Sequence, residues 1–205
     1  FFFIFHIRFS GKHCGAGRPV SDRIAQHPNR SSPHMKWMSD PTAFERATFA
    51  AGCFWDLEAA FRRVDGVLET LTGYTGGSVP EPSYEQVESG TTGHVEAVGL
   101  VFDPSVVSYD RLLDLFWTLH DPIRMDGQGD YAGPQYRPVI FYHSEAQRVA
   151  AHASRDRLAA SGLLGNHPVV TEILPATEFW RAEDCHQQFY EKCGRGYSMS
   201  RQVDD

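Results

Sequence analysis

The sequence predicts an α+β fold, because strand-like and helical segments follow one another through most of its 205 residues. Two observations carry this prediction. An apolar run over 47–51 passes directly into a helical pattern, and residues 94–102 read as a strand with apolar side chains on both faces. Hydrophobic residues make up 41% of the chain, which is enough for one domain with a substantial core.

The first predicted helix begins at or just after Cys53 and ends near Gly66. Its apolar side chains recur at three- and four-residue steps, at Phe54, Leu57, Phe61 and Val64. A strand over 67–74 follows and runs into a glycine-rich turn over 73–77. A loop with two prolines then leads to Tyr84 and to a turn over 89–93.

The strand over 94–102 places a carboxylate among apolar residues. One face carries Val95, Ala97, Gly99 and Val101, and the other carries His94, Glu96, Val98, Leu100 and Phe102. A buried acid is costly unless it is paired or protonated, so Glu96 calls for a chemical explanation. The alternative is that His94 and Glu96 lie at an exposed start of the strand.

Helices and strands also alternate in the second half of the predicted domain. A helix over 109–119 begins at the N-cap Ser108 and is stopped by Asp121-Pro122. A polar, glycine-rich loop over 123–135 is long enough to favour a functional role. The remaining predicted elements are a strand over 137–142, a helix over 144–161 opened by a Ser144–Gln147 capping box, a strand over 169–174, and a last helix over 182–192.

Cys53 is the first candidate for chemistry. Gly52 suits a tight strand-to-helix turn, which places Cys53 at a helix N-terminus, and such a position stabilises a thiolate. Asp56 and Glu58 are favoured by the helix dipole in the first turn, but their charges act against a thiolate. A buried structural cysteine is therefore the alternative.

Composition excludes several classes of protein. A net charge of −7 does not favour a nucleic-acid or anionic-membrane surface, and no run of 18 apolar residues is present. The cysteines are too few and too scattered for a disulfide scaffold, and none form a CxxC pair: Cys14, Cys53, Cys185 and Cys193. Redox or nucleophilic cysteine chemistry in a reducing compartment, the cytoplasm, is the resulting expectation.

Residues 1–38 differ from the rest, with five basic residues and one acidic residue before position 35. They are interpreted as a clipped secretory signal, as a transit peptide, or as sequence upstream of a start at Met35 or Met38, and they are expected to be disordered. The first two interpretations would make the protein exported or organellar. The catalytic domain is predicted over 39–205, with a flexible tail from about 194.

Six motifs in order make the sequence recognisable: Gly52-Cys53-Phe54-Trp55, 73–77 (GYTGG), 90–98 (GTTGHVEAV), 116–122 (FWTLHDP), 133–137 (GPQYR), and 182–187 (AEDCHQ). Together, over about 48–192, they closely resemble the peptide-methionine (S)-S-oxide reductases. The resemblance implies an α+β two-layer sandwich with a mixed sheet and packed helices, a ferredoxin-like core and many loops. It also implies thiol-dependent reduction of the S epimer of methionine sulfoxide, free or in proteins, without a cofactor or metal.

The resemblance assigns roles to the candidates. Cys53 matches the nucleophile that attacks the sulfoxide sulfur, and Glu96 matches the acid that protonates its oxygen. An apolar environment would keep that carboxyl protonated, which explains its place in the strand. Cys53 would become a sulfenic acid, returned to the thiol by an internal cysteine or by thioredoxin.

The same resemblance identifies four aromatic residues of the site. Tyr84 and Tyr136 match tyrosines that hold the sulfoxide oxygen, although half-buried aromatics would be the interpretation from pattern alone. Phe54 and Trp55 match an aromatic wall that receives the S-methyl group, and from pattern alone they would be core residues.

Two departures from the family pattern stand out. Where many relatives have an Asp, an ungapped match places Tyr131, and Asp130 one position earlier is the candidate to bind substrate instead. Where many relatives place a recycling cysteine in the tail, this chain has Ser198. Cys193, beside Gly194, is the predicted resolving cysteine, and Cys185, expected inside the last helix, is the alternative.

The predicted partners are thioredoxin or a similar thiol reductant and the sulfoxide substrate, for a monomer without nucleic acid or membrane. Three competing functions remain: a general thiol peroxidase or reductase, a degenerate reductase that only binds, and a metal-binding module. The last would use Cys185, His186, Cys193 and a residue such as His167, a spacing irregular for zinc.

Overall fold

The computed structural model describes residues 43–194. Its strands are β1 Glu45–Ala50, β2 Val67–Thr75, β3 Val95–Phe102, β4 Gly127–Gln128, β5 Tyr131–Ala132, β6 Val139–Tyr142, β7 Glu172–Pro175 and β8 Trp180–Arg181. Its helices are α1 Phe54–Phe61, α2 Tyr84–Glu88, α3 Tyr109–Thr118, α4 Glu145–Ala160 and α5 Phe189–Lys192. The predicted leader over 1–38, with Cys14, and the tail with Ser198 lie outside the described residues.

Six strands form one sheet in the order β7-β6-β1-β3-β2-β8, and β4 and β5 form a separate hairpin. The four central strands, β6-β1-β3-β2, are antiparallel and connect through α1 and α3 as in a ferredoxin-like fold. The parallel pairing of β6 with β7 makes the sheet mixed. The α+β prediction with a mixed sheet is therefore confirmed. No helix within 43–194 combines the length and apolarity that crossing a bilayer requires.

Both faces of the sheet are covered, as the pattern of β3 predicts. On one face Phe49 stacks on Phe61 of α1 and on Phe116 of α3, with ring centroids 5.1 and 5.0 Å apart. On the other face a smaller apolar cluster of Ala50, Val95, Ala97, Val139 and Phe141 packs under Leu174, Ala176 and Phe179.

The predicted helix over 182–192 is wrong over most of its length. Residues 182 and 183 are irregular, residues 184–188 form turns, and only Phe189–Lys192 is helical. The backbone N–H of Ala182 donates to Thr72 O, and the Gln187 side chain bonds to both backbone groups of Thr72. Gln188 adopts a left-handed conformation with φ 48°, which a continuous helix does not allow. Cys185 consequently lies in an exposed turn rather than inside a helix.

Smaller differences concern loops and element ends. The first helix ends at Phe61, five residues before Gly66. The proline-containing loop holds α2, and the loop over 123–135 holds the β4–β5 hairpin. The strands expected from 137 and 169 begin at Val139 and Glu172. The capping box is half formed, because Ser144 accepts from Gln147 N while the Gln147 side chain accepts from His143 N.

Candidate active site

Cys53 is positioned by the turn between β1 and α1. Gly52 has φ +67°, a conformation that favours glycine, and a Cβ added there would lie 2.8 Å from Gln128 Cβ. The Gly52 N–H donates to Tyr136 O at 2.9 Å. Cys53 follows as the extended N-cap residue of α1.

The Cys53 side chain is nearly enclosed, with 6% of it exposed. Burial raises the pKa of its thiol well above the ordinary value, and the charges of Glu96 and Asp56 raise it further. Hydrogen bonds from the Trp55 backbone N–H and the Tyr131 hydroxyl act in the opposite direction. The sulfur therefore has two donors to receive a negative charge and two acids that oppose it.

Glu96 lies beside Cys53, on the face of β3 that meets α1. Its Oε2 accepts a hydrogen bond of 3.0 Å from the backbone N–H of Phe54, and 3% of the residue is exposed. Burial raises the pKa of Glu96 to about 8, although the Phe54 hydrogen bond lowers it. The carboxyl is therefore mostly protonated at neutral pH, and the alternative of an exposed strand start is wrong.

Tyr84 and Tyr136 approach the same carboxyl from two loops. Tyr84 is the first residue of α2, which a capping box between Ser83 and Gln86 stabilises. Tyr136 ends a short 3₁₀ helix, Pro134–Tyr136. Burial, followed by the charge of Glu96, raises the pKa of both hydroxyls, so both remain neutral donors.

The two residues of the predicted aromatic wall have different environments. Phe54 is fully buried and packs on Tyr74, with ring centroids 5.9 Å apart. Trp55 is partly exposed and stacks face to face on Phe189 of α5 at 3.7 Å. Trp55 is thus the one of the pair that reaches the surface, and Phe54 supports it from the core.

His186 belongs to the site, although the sequence suggested a role for it only in the competing metal-binding module. Its ring packs against those of Phe54, Trp55 and Tyr84, the last at 4.6 Å between centroids. Its Nδ1 accepts from the Trp55 indole N–H at 3.2 Å, which assigns the proton of the neutral ring to Nε2. Burial lowers the pKa of His186. In the sequence, the signal for a role of His186 was its place in the motif over 182–187.

Glu183, from the same motif, holds α2 against the sheet. Its Oε2 accepts from the Tyr74 hydroxyl at 2.8 Å and its Oε1 accepts from the Tyr84 backbone N–H at 3.0 Å. The position of Tyr84 over the site therefore depends on this carboxylate.

The hairpin β4–β5 presents Tyr131, and not Asp130, to the nucleophile. Tyr131 is paired across the hairpin with Gln128, which packs on Gly52, and its side chain affects the pKa of Cys53. The Tyr131 ring lies 5.3 Å from that of Tyr136. Asp130 is exposed at the turn of the hairpin. The structure does not bring Asp130 to the other predicted site residues.

Cys185 and Cys193 are both free and exposed on segments at the rim of the site. Cys193 follows the last turn of α5. Two polar contacts hold α5 against α1. The Tyr190 hydroxyl donates to Asp56 at 2.6 Å, and Glu191 pairs with Arg62 at 2.8 Å. Within residues 43–194, no three His, Cys, Asp or Glu side chains are grouped as metal ligands.

Comparison with known proteins agrees with this geometry. A family model described as peptide methionine sulfoxide reductase matches residues 45–204. Peptide methionine sulfoxide reductase MsrA of Methanosarcina mazei is 57% identical over 150 residues, 73% of this chain and 71% of that protein. The MsrA of Geobacter sulfurreducens is 52% identical over 159 residues, 78% of this chain and 98% of that protein.

Solved structures share the fold. Methionine sulfoxide reductase A of Corynebacterium diphtheriae superposes with a TM-score of 0.67 and 34% identity, covering 78% of this chain and 80% of that chain. The reduced form of Mxr1 from Saccharomyces cerevisiae superposes with a TM-score of 0.71 and 31% identity, covering 78% of this chain and 91% of that chain. Mxr1 in complex with Trx2 superposes with a TM-score of 0.53 and 22% identity, covering 75% of this chain and 90% of that chain.

Proposed function

The chain belongs to the peptide methionine sulfoxide reductase family and reduces the S epimer of methionine sulfoxide, and from this premise we propose roles for its residues. Cys53 is the nucleophile and Glu96 is the proton donor. The observation that carries this proposal is the hydrogen bond from Phe54 N to Glu96 Oε2, which places a buried, protonated carboxyl beside the residue that follows Cys53.

The reaction transfers one oxygen atom from the substrate to the enzyme. The Cys53 thiol gives up its proton and its sulfur bonds to the sulfoxide sulfur, while Glu96 protonates the sulfoxide oxygen. The new sulfur–sulfur bond and the methionine sulfur–oxygen bond then break as the hydroxyl group bonds to the Cys53 sulfur, which releases methionine. The products are methionine, whose sulfur has gained two electrons, and a Cys53 sulfenic acid, whose sulfur has lost two. One proton leaves the thiol and one reaches oxygen, so the net proton count is unchanged.

Tyr84 and Tyr136 hold the sulfoxide oxygen in this proposal. Burial and then the charge of an ionised Glu96 raise the pKa of both hydroxyls, which supports their place beside the proton donor. Neutral hydroxyls can donate to an oxygen that gains negative charge during the attack. Trp55 receives the S-methyl group, with Phe54 packed behind it.

Cys193 resolves the sulfenic acid. Its thiol attacks the Cys53 sulfur, water leaves, and a Cys53–Cys193 disulfide forms. The support for this assignment is position: Cys193 is exposed, follows a helix of four residues that contacts Trp55 and Asp56, and precedes Gly194. Cys185, in the turn beside His186, is the alternative.

A dithiol of the thioredoxin class then reduces the disulfide by exchange and becomes oxidised itself. Mxr1 has been solved in complex with Trx2, and its reduced form shares this fold. Function as a monomer stays a prediction. Action in the cytoplasm stays a prediction.

Peptide mass mapping after one turnover with the S epimer, without added reductant, tests the assignment of the resolving cysteine. A cross-linked Cys53–Cys193 peptide is expected, and Cys193→Ser should accumulate the sulfenic acid. A Cys53–Cys185 peptide would select the alternative, and a stable sulfenic acid in the wild type would exclude an internal resolving cysteine.

A further inference from the structure

We propose that Tyr131 is a catalytic residue of this reaction, because its hydroxyl donates a hydrogen bond to the Cys53 sulfur and thereby stabilises the thiolate. The inference rests on the proposed role of Cys53 as nucleophile. It gives a function to a tyrosine that stands where the family pattern has an aspartate.

The position of Tyr131 is set by the hairpin and its contact with the catalytic turn. Gln128 and Tyr131 are directly paired across β4 and β5. Gln128 packs on Gly52, as the 2.8 Å approach of a Cβ built on Gly52 shows. Its cross-strand partner Tyr131 therefore reaches the residue after Gly52, which is Cys53.

The hairpin is itself held firmly. The Gln128 side chain accepts from Asp121 N at 2.7 Å and donates to Asp121 O at 3.0 Å and to Arg124 O at 3.2 Å. Gln128 is buried, so these bonds are shielded from water. Because these bonds fix Gln128, they also restrict the position of its cross-strand partner Tyr131 relative to the Cys53 sulfur.

The Tyr131 side chain is suited to donate. Its ring is partly buried, packs against the main apolar cluster and lies 5.3 Å from the Tyr136 ring. Burial, followed by the negative charges of Cys53 and Asp56, raises the pKa of its hydroxyl. Tyr131 therefore keeps its own proton while it stabilises the charge on sulfur.

The electrostatics around Cys53 explain why a tyrosine is useful here. The ionisable groups that face the sulfur are Glu96 from β3, Asp56 from α1 and Tyr131 from β5, and the charge of Cys53 also acts on Tyr84 and Tyr136. An aspartate in place of Tyr131 would add a further acidic side chain beside the sulfur and, once ionised, oppose ionisation of the thiol. The hydroxyl adds a donor and no charge.

The test measures thiolate formation separately from turnover. In protein with Cys14, Cys185 and Cys193 all replaced by serine, Cys53 is the remaining thiol. Below the pKa of that thiol, its rate of alkylation by iodoacetamide at a fixed pH is proportional to the thiolate fraction. Tyr131→Phe should be alkylated about tenfold more slowly, as expected for losing one hydrogen bond to a charged group.

Controls decide between a chemical role and a packing role. Tyr142→Phe, at a half-buried position on β6, should be alkylated at the wild-type rate. Tyr131→Asp should be slower than the wild type. Thermal unfolding and circular dichroism of Tyr131→Phe should match the wild type, since the ring is kept.

Alkylation of Tyr131→Phe at the wild-type rate, or faster alkylation of Tyr131→Asp, would overturn the inference and leave the proposed function intact. Reduction of sulfoxide by Cys53→Ser would instead remove Cys53 from the mechanism, and the role of Tyr131 with it. The two failures are therefore distinguishable.

Discussion

Glu96 combines two properties at the scale of a single residue: it is almost fully buried, and its one backbone donor is the first N–H of the helix that follows Cys53. Burial disfavours the ionised carboxyl, and the hydrogen bond only partly offsets that effect. The result is an acid that keeps its proton at neutral pH and holds it next to the nucleophile.

Glu96→Gln should therefore lose activity while keeping its fold. Loss of a general acid is expected to slow the chemical step by about 100- to 10,000-fold. Single-turnover formation of methionine at neutral pH measures this step. Glu69→Gln, an exposed acid on the neighbouring strand β2, is the matched control and should react at the wild-type rate. Near-normal turnover of Glu96→Gln would exclude Glu96 as the proton donor.

The same carboxyl should affect stability in a pH-dependent manner. Burial raises its pKa from 4.5 to about 8 on folding, so the folded state binds more protons between these values. Its stabilising contribution is complete below about pH 4.5 and is lost as the pH rises through about 8. Urea unfolding should show the wild type losing on the order of a few kcal/mol relative to Glu96→Gln between about pH 5 and 8. Parallel pH profiles for the two proteins would contradict the raised pKa.

At the scale of elements, α5 covers the start of α1 and carries Cys193 at its end. Its contacts are the Phe189–Trp55 stack, the Tyr190–Asp56 hydrogen bond and the Arg62–Glu191 pair. If Cys193 resolves the sulfenic acid, this short helix has to leave its place before the two sulfurs can meet. A helix of only four residues can open locally without unfolding of the domain, which makes that movement accessible.

Phe189→Ala should consequently speed disulfide formation after the sulfenic acid has formed. An aromatic stack is worth about 0.5–1.5 kcal/mol, so an increase of roughly two- to tenfold is expected. Rapid-quench sampling can separate methionine release from disulfide formation. Leu163→Ala, at an exposed site after α4, should leave the disulfide step unchanged. An unchanged or slower disulfide step in Phe189→Ala would show that undocking of α5 does not limit it.

Local periodicity was sufficient to predict the strand that precedes Cys53 and the strand that carries Glu96, because both are long apolar runs bounded by turns. It failed for 182–188, because Thr72, more than a hundred residues earlier, holds that segment in another conformation. Thr72 O accepts from Ala182 N, Thr72 Oγ1 donates to His186 O, and the Gln187 side chain bonds to both backbone groups of Thr72. The five-residue helix α2 was missed for a related reason: it is too short to show a helical period.

The same distinction applies to the site residues: local sequence could predict some of them and not others. Cys53 and Glu96 were unusual in their local sequence, a cysteine at a helix start and an acid in an apolar strand. Tyr131 stood out only as a departure from the family pattern, and His186 only as a ligand of the competing metal module. No local pattern reveals that His186 contacts Trp55 or that Tyr131 lies beside Cys53. Asp130 was a candidate because it lies one position before the place of the aspartate in relatives, but it is exposed at the turn of the hairpin.

At the scale of the whole molecule, adjacent central strands bring the reacting groups together. Cys53 follows the end of β1, and Glu96 lies near the start of its antiparallel neighbour β3. The stability of this arrangement depends on the aromatic cluster around Phe49, which stacks on Phe61, Tyr109 and Phe116.

Phe49→Ala should destabilise the whole fold, because it leaves a cavity between the sheet and two helices. The expected loss in the free energy of unfolding is about 3–5 kcal/mol, measured by urea denaturation at constant pH. Phe44→Ala, where 42% of the side chain is exposed, should cost less than about 1 kcal/mol. A small loss for Phe49→Ala would mean that the sheet is held mainly by other contacts.

The most direct measurement is the yield of methionine and of Cys53 sulfenic acid in a single turnover of the Cys185→Ser/Cys193→Ser protein. One equivalent of the S epimer should yield one methionine per chain and one dimedone-trapped sulfenic acid, located by peptide mass at Cys53. Methionine formed without modification of Cys53, or formed equally fast by Cys53→Ser, would contradict the mechanism.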